Sequence, residues 1–152
     1  AQVEVDPSTI NWSNYSKARF PFQLRQDPGP LNALGVVKFM FPNKFNVYLH
    51  DTPNRELFQK TDRAFSSGCI RTENPLKLGE FLLTNNSDWA GDRINKVVES
   101  QQEQTVKITD FIQVHLQYWT VWADNSDIIN FRNDIYGRDK LLLAALREKP
   151  PA

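Results

Sequence analysis

Two stretches of strict side-chain alternation limit what this chain can become more than any other feature. In the first, Val37, Phe39 and Phe41 alternate with Val36, Lys38 and Met40. After a turn at Pro42-Asn43, Phe45, Val47 and Leu49 alternate with Asn46, Tyr48 and His50. In the second stretch, Ile112, Val114, Leu116 and Tyr118 alternate with Gln113, His115 and Gln117. A period of two belongs to β-strands, so each run has one face to bury. Such a face is stable only against a second layer of structure. The first two runs read as a β-hairpin that ends at His50.

Weaker signals fill in the rest. Val3 and Val5, set between Gln2, Glu4 and Asp6, suggest a short strand at the start, and Val106 and Ile108 suggest another. Residues 123–127 form a turn, and residues 129–136 read as a strand returning from it. Asn74-Pro75 combines an N-cap acceptor with a proline suited to the first helical position, and Leu78, Phe81 and Leu82 give that helix an apolar face. A second helix is expected from Asp92, with Ile94, Val97 and Val98 on one stripe. A third is expected over 137–149, ahead of Pro150-Pro151. The fold class is therefore α+β with antiparallel strands predominating. Residues 51–74 hold few apolar residues and read as one long loop with one irregular helical turn. Loops of more than about 12–15 residues in a compact domain are usually functional.

Composition removes several classes of function. Eighteen Lys+Arg balance eighteen Asp+Glu, whereas nucleic-acid binding needs a basic surplus to displace counterions from phosphate. No apolar run approaches the roughly 20 residues of a membrane span. The first residues lack the basic-then-apolar pattern of a signal peptide. One cysteine excludes an intrachain disulfide scaffold and a Cys-rich zinc site.

That cysteine stands in the long loop, in Phe65-Ser66-Ser67-Gly68-Cys69-Ile70-Arg71. A lone cysteine is more often a small buried hydrophobe than a nucleophile. Three features favour the nucleophile here. The segment is polar, Gly68 allows a backbone bend that a side chain would block, and that bend can aim the Gly68 and Cys69 amides at one oxyanion. Arg71 adds positive charge, or else braces the loop by pairing with Glu73 or Asp62. A thiol nucleophile wants a base within hydrogen-bond reach. His50 opens the loop that ends at Cys69, so the loop can fold back and bring the two together. His115 lies on the polar side of its run and reads as solvated surface.

His50-Asp51-Thr52-Pro53 followed by Ser66-Ser67-Gly68-Cys69-Ile70-Arg71 resembles the signature of the L,D-transpeptidase catalytic (YkuD-type) domain. Many members of that family have histidine where this chain has Ser67. A second segment, from Arg25-Gln26-Asp27-Pro28-Gly29-Pro30 through Leu31-Asn32-Ala33-Leu34-Gly35 to Lys38-Phe39, resembles the large capped periplasmic members from Gram-negative bacteria. The resemblance implies a mainly antiparallel, β-sandwich-like catalytic domain with a few flanking helices. Residues 1–34 would follow the capping subdomain, and residues 35–152 would form the C-terminal part of the catalytic domain. Strands that precede the cap in the family have no counterpart here. On that reading the missing N-terminal part of the same domain is a partner, and residues 1–152 alone neither fold stably nor react.

The resemblance also implies a chemistry. Cys69 is the nucleophile, His50 its base, and the Asp51 backbone carbonyl orients the imidazole; the Ser67, Gly68 and Cys69 amides form the oxyanion hole. Arg71 and Tyr48 contribute to substrate binding; Phe65 either shapes the stem groove or, as the more ordinary role for such a residue, packs in the core. The expected partners are peptidoglycan stem peptides, a donor tetrapeptide and an acceptor diamino acid, with carbapenems as inhibitors and no nucleic acid. No metal or organic cofactor is needed. The expected location is the periplasm, at the inner membrane through an N-terminal segment outside this chain. Two rival readings are a cysteine peptidase (an L,D-carboxypeptidase) with the same dyad and water as acceptor, and a non-catalytic peptidoglycan-binding module with an inert Cys69.

Overall fold

In the computed structural model, residues 3–66 and 68–148 are described. The chain divides into two compact units, Ala1–Asp110 and Phe111–Ala152. The first unit is built on a three-stranded sheet of β1 (Lys38–Phe39), β2 (Leu49–His50) and β3 (Ile70–Arg71), in that order. β1 and β2 pair antiparallel, with Lys38 opposite His50 and Phe39 opposite Leu49, so the expected hairpin forms. Its far end is closed by Asn43, whose side chain accepts from the Phe45 and Val47 amides at 3.1 Å and donates to the Val47 carbonyl at 2.7 Å.

β3 is a departure from the expected antiparallel arrangement, because it pairs with β2 in parallel. Parallel neighbours need a crossover of about a dozen residues or more, which a tight turn cannot supply. The long polar segment from Asp51 to Cys69 is that crossover, and it carries one 3₁₀ segment, Arg55–Gln59. The loop's length is thus a consequence of strand direction.

Two helices complete the unit: α1 (Pro75–Leu82) and α2 (Arg93–Ser100). α1 starts on Pro75 as expected, but the Asn74 side chain makes no capping bond. The helices meet where Gly79 is buried; a Cβ there would lie 3.7 Å from Ile94 Cδ1. Ahead of the sheet, two 3₁₀ turns, Pro7–Thr9 and Trp12–Asn14, are capped by Asp6 and Asn11. Val3 and Val5 stand in irregular backbone, not in the expected strand.

The second unit holds a hairpin of β4 (Val121–Ala123) and β5 (Ile129–Phe131) and the helix α3 (Asp139–Arg147). The returning strand is shorter than expected because Asp134 turns the chain into α3. Its carboxylate accepts from the Arg138 amide at 3.0 Å and from the Asp139 amide at 2.9 Å. Lys149, Pro150 and Pro151 lie outside the described residues.

Residues 106–108 and 112–118 form no strand among the described residues. Alternation marks which side chains share a face, but a strand exists only where another backbone supplies its hydrogen bonds. Neither unit contains two stacked sheets among the described residues, and none of those residues is a buried large apolar side chain. The α+β class holds.

Candidate active site

The most enclosed place in the described structure is polar: His50 is 6% exposed, Asp51 2% and Thr52 1%. These residues close β2 and open the crossover. Register then decides which side chains meet. With His50 beside Arg71 and Leu49 beside Ile70, the alternate positions Tyr48, His50, Cys69 and Arg71 fall on one face of the sheet. Lys38, opposite His50 on β1, belongs to the same face. The ladder is fixed by Ile70 N donating to the Tyr48 carbonyl at 3.0 Å and Thr72 N donating to the His50 carbonyl at 2.8 Å.

Side-chain contacts follow the register. The Tyr48 and His50 rings meet edge-on with centroids 5.8 Å apart. Lys38 Nζ sits 4.4 Å above the centre of the Tyr48 ring. Cys69 nearby, helped by burial, pushes the pKa of the Tyr48 hydroxyl above the usual tyrosine value. His50 Nδ1 is 2.5 Å from the Asp51 carbonyl oxygen. A carbonyl oxygen can only accept, so Nδ1 carries the proton and Nε2 keeps its lone pair. The imidazole is thereby set up to take a proton through Nε2.

The rest of Asp51 is held from several sides. Its amide donates to the Val37 carbonyl at 2.9 Å. Its carboxylate accepts from the Val36 amide at 3.0 Å and from Arg55 Nη2 at 2.8 Å. Arg55 Nη1 donates in turn to the Glu73 carbonyl at 3.1 Å. Gly35, with φ +63°, permits the close approach, because a Cβ there would fall 2.3 Å from Asp51 Oδ2. The sequence alone does not mark the contacts that Arg55, Gly35 and the Asp51 carboxylate make here. The only trace they left is a glycine fifteen to sixteen residues ahead of a His-Asp pair and an arginine four residues after it.

Other sequence assignments need adjustment. At Gly68 a Cβ would meet only Val47 Cγ1 at 3.5 Å, an ordinary contact. Just ahead of it, Ser66 Oγ donates to the Cys69 carbonyl at 2.6 Å. Ser67 lies outside the described residues. Arg71 makes no ion pair with Glu73 or Asp62 among the described residues; its Nε is buried without a partner there. Phe65 is 48% exposed and takes no part in a core. His115 lies in the second unit on an exposed segment, while His50 lies in the first.

Comparison with known proteins shows which family the chain belongs to. A model of the L,D-transpeptidase catalytic domain (YkuD) matches residues 2–108, which fall within the first unit and include both His50 and Cys69. A Haemophilus influenzae protein described as "Putative L,D-transpeptidase" is 41% identical over 136 residues, a match that takes in 90% of this chain. The chain spans 27% of that relative's length. A match over most of the chain, centred on the sheet that carries the histidine and the cysteine, means that this chain belongs to the L,D-transpeptidase catalytic-domain family.

Proposed function

We propose that this chain forms 3→3 cross-links in peptidoglycan through a thioester on Cys69. The observation that carries the reading is the shared sheet face of Tyr48, His50, Cys69 and Arg71, with His50 Nδ1 turned to the Asp51 carbonyl. Cys69 gives its proton to His50 Nε2, and the sulfur attacks the carbonyl between the third residue and the terminal D-alanine of a tetrapeptide stem. The amides of Ser67, Gly68 and Cys69 hold the oxyanion; one such donor is typically worth about 3–4 kcal/mol. The C–N bond breaks, the imidazolium protonates the departing D-alanine amine, and a thioester remains. The side-chain amine of a second stem's diamino acid then attacks. His50 takes its proton and returns it to the leaving thiolate.

Tyr48 supports the sulfur with its hydroxyl, and Arg71 offers a buried donor to a stem carboxylate. Carbapenems acylate the same sulfur, because their strained lactam mimics the donor carbonyl. The reaction takes place in the periplasm, with attachment to the inner membrane through a segment outside this chain. Further chain of the same protein covers the apolar faces. This is supported by the exposure of residues such as Phe39's neighbour Met40 and Leu141, Leu142 and Leu146 of α3, and by the share of the relative that this chain spans.

Product analysis with a tetrapeptide donor, with and without an acceptor amine, tests the proposal. The expected result is a cross-linked dimer and free D-alanine, both lost in Cys69→Ala. Free tripeptide as the sole product would make the protein a carboxypeptidase, and turnover retained in Cys69→Ala would remove the thioester.

A further inference from the structure

A backbone carbonyl can be offered to His50 by any residue, so the chemistry places no demand on the side chain at position 51. Yet that side chain is a carboxylate only 3% exposed, and a buried charge is costly unless it is paired and hydrogen-bonded. Every polar group of Asp51 is engaged. The carbonyl meets His50, the amide meets Val37, and the two carboxylate oxygens meet the Val36 amide and the Arg55 guanidinium. The amide belongs to the 50–51 peptide plane and the carbonyl to the 51–52 plane, so contacts on both planes and on the side chain between them restrain the backbone torsions at Asp51, and the orientation of the carbonyl with them.

Arg55 extends this clamp to the other side of the site. One guanidinium nitrogen holds Asp51, next to His50 at the end of β2; another holds the Glu73 carbonyl, two residues beyond the end of β3. The planar fork serves both acceptors at once, which a lysine's single ammonium cannot do in the same geometry. Arg55 therefore ties the strand that carries the base to the strand that follows the nucleophile.

We infer that the Asp51 carboxylate and Arg55 are positioning residues, which hold the Asp51 carbonyl on His50 Nδ1 and so keep Nε2 available for Cys69. The inference deepens the proposed function and rests on the reading of His50 as the base for Cys69. Its consequence is specific: loosening the clamp releases the imidazole to exchange tautomers and orientations. A simple loss of stability would not change the tautomer of the folded molecules.

The test uses the full-length protein with Arg55→Gln, Arg55→Lys and Asp51→Asn, each checked for folding by circular dichroism. Two quantities are measured: the rate of Cys69 acylation by a carbapenem, and the nitrogen-15 NMR signals of the His50 ring, assigned with His50→Gln. We expect the Nδ1–H tautomer in the wild type and a mixture with Nε2–H in Arg55→Gln. Acylation in that variant should be slower by about tenfold or more, as for a misplaced catalytic group. Arg55→Lys should recover part of the rate and part of the Nδ1–H signal. Arg55 is half exposed, so its variants keep the test alive if Asp51→Asn does not fold. A pure Nδ1–H signal in Arg55→Gln, at either a normal or a reduced rate, would overturn the inference. A wild type that forms no adduct would sink the catalytic reading instead, and the tautomer comparison would still decide the clamp.

Discussion

In the first unit, order is concentrated in a polar knot; in the second, it is spread over surface turns. His50, Asp51 and Thr52 are nearly closed to solvent, and the Asp51 carboxylate draws its partners from Val36, fifteen residues before it, and Arg55, four after. No described residue of the second unit is buried. There Asp124 accepts from the Ser126 and Ile128 amides and Asp134 from the Arg138 and Asp139 amides, all within five residues. Local turns of this kind shape a chain but fix nothing at a distance. A site that must hold a ring nitrogen to within about half an ångström needs support from several elements at once. The knot has that support, and the turns do not.

The largest expected contrast is between the two histidines. His50→Ala should lower Cys69 acylation by about 10²–10⁴-fold, the usual contribution of a general base. His115→Ala, in the other unit, should leave it near the wild-type rate. Stopped-flow or mass-spectrometric rates on the full-length protein compare them, and equal losses from two folded variants would erase the distinction between the regions.

A pair of glycines gives a sharper contrast of smaller size. Gly35 and Gly137 both adopt left-handed backbone, at φ +63° and +64°. An alanine at 137 meets nothing within 4 Å, so only the backbone conformation should matter, at about 1–2 kcal/mol. An alanine at 35 strikes the Asp51 carboxylate as well, which should raise the loss to about 2–5 kcal/mol through overpacking and displace the knot. Denaturant unfolding of both variants checks the difference. If Gly35→Ala were no more harmful than Gly137→Ala, the close approach would be without consequence.

Acid should show the smallest effect, at exposed turns closed by an aspartate, such as those of the second unit. Backbone amides hold the Asp124 and Asp134 carboxyls below the usual aspartate value. A depressed folded-state pKa stabilises above the unfolded value, about 3.9, and that stability disappears as pH falls through the lower, folded value. Hydrogen exchange at the Ile128 and Arg138 amides should therefore gain protection above that range and lose it below, and Asp124→Asn should flatten the response at Ile128.

Legibility in the sequence follows the same division. The hairpin ending at His50 was readable because Val47, Leu49 and their neighbours alternate, and α1 was readable from Asn74-Pro75 with its apolar face. The histidine and the cysteine were readable as a motif. β3 was not, because two residues, Ile70 and Arg71, are too few to display a period. The clamp was not, because Gly35, Asp51 and Arg55 meet through space, and no local rule joins them. Residues 112–118 mislead in the opposite way: they have the pattern of a strand, but none of the described backbone pairs with them.

The central claim is that one face of β2 and β3 makes Cys69 a nucleophile served by His50. Intact-mass spectrometry of the full-length protein after incubation with a carbapenem tests it most directly. The account predicts one covalent adduct, mapped to Cys69, absent from Cys69→Ala and formed far more slowly in His50→Ala. A protein that stays unmodified, or an adduct that persists in Cys69→Ala, would contradict it.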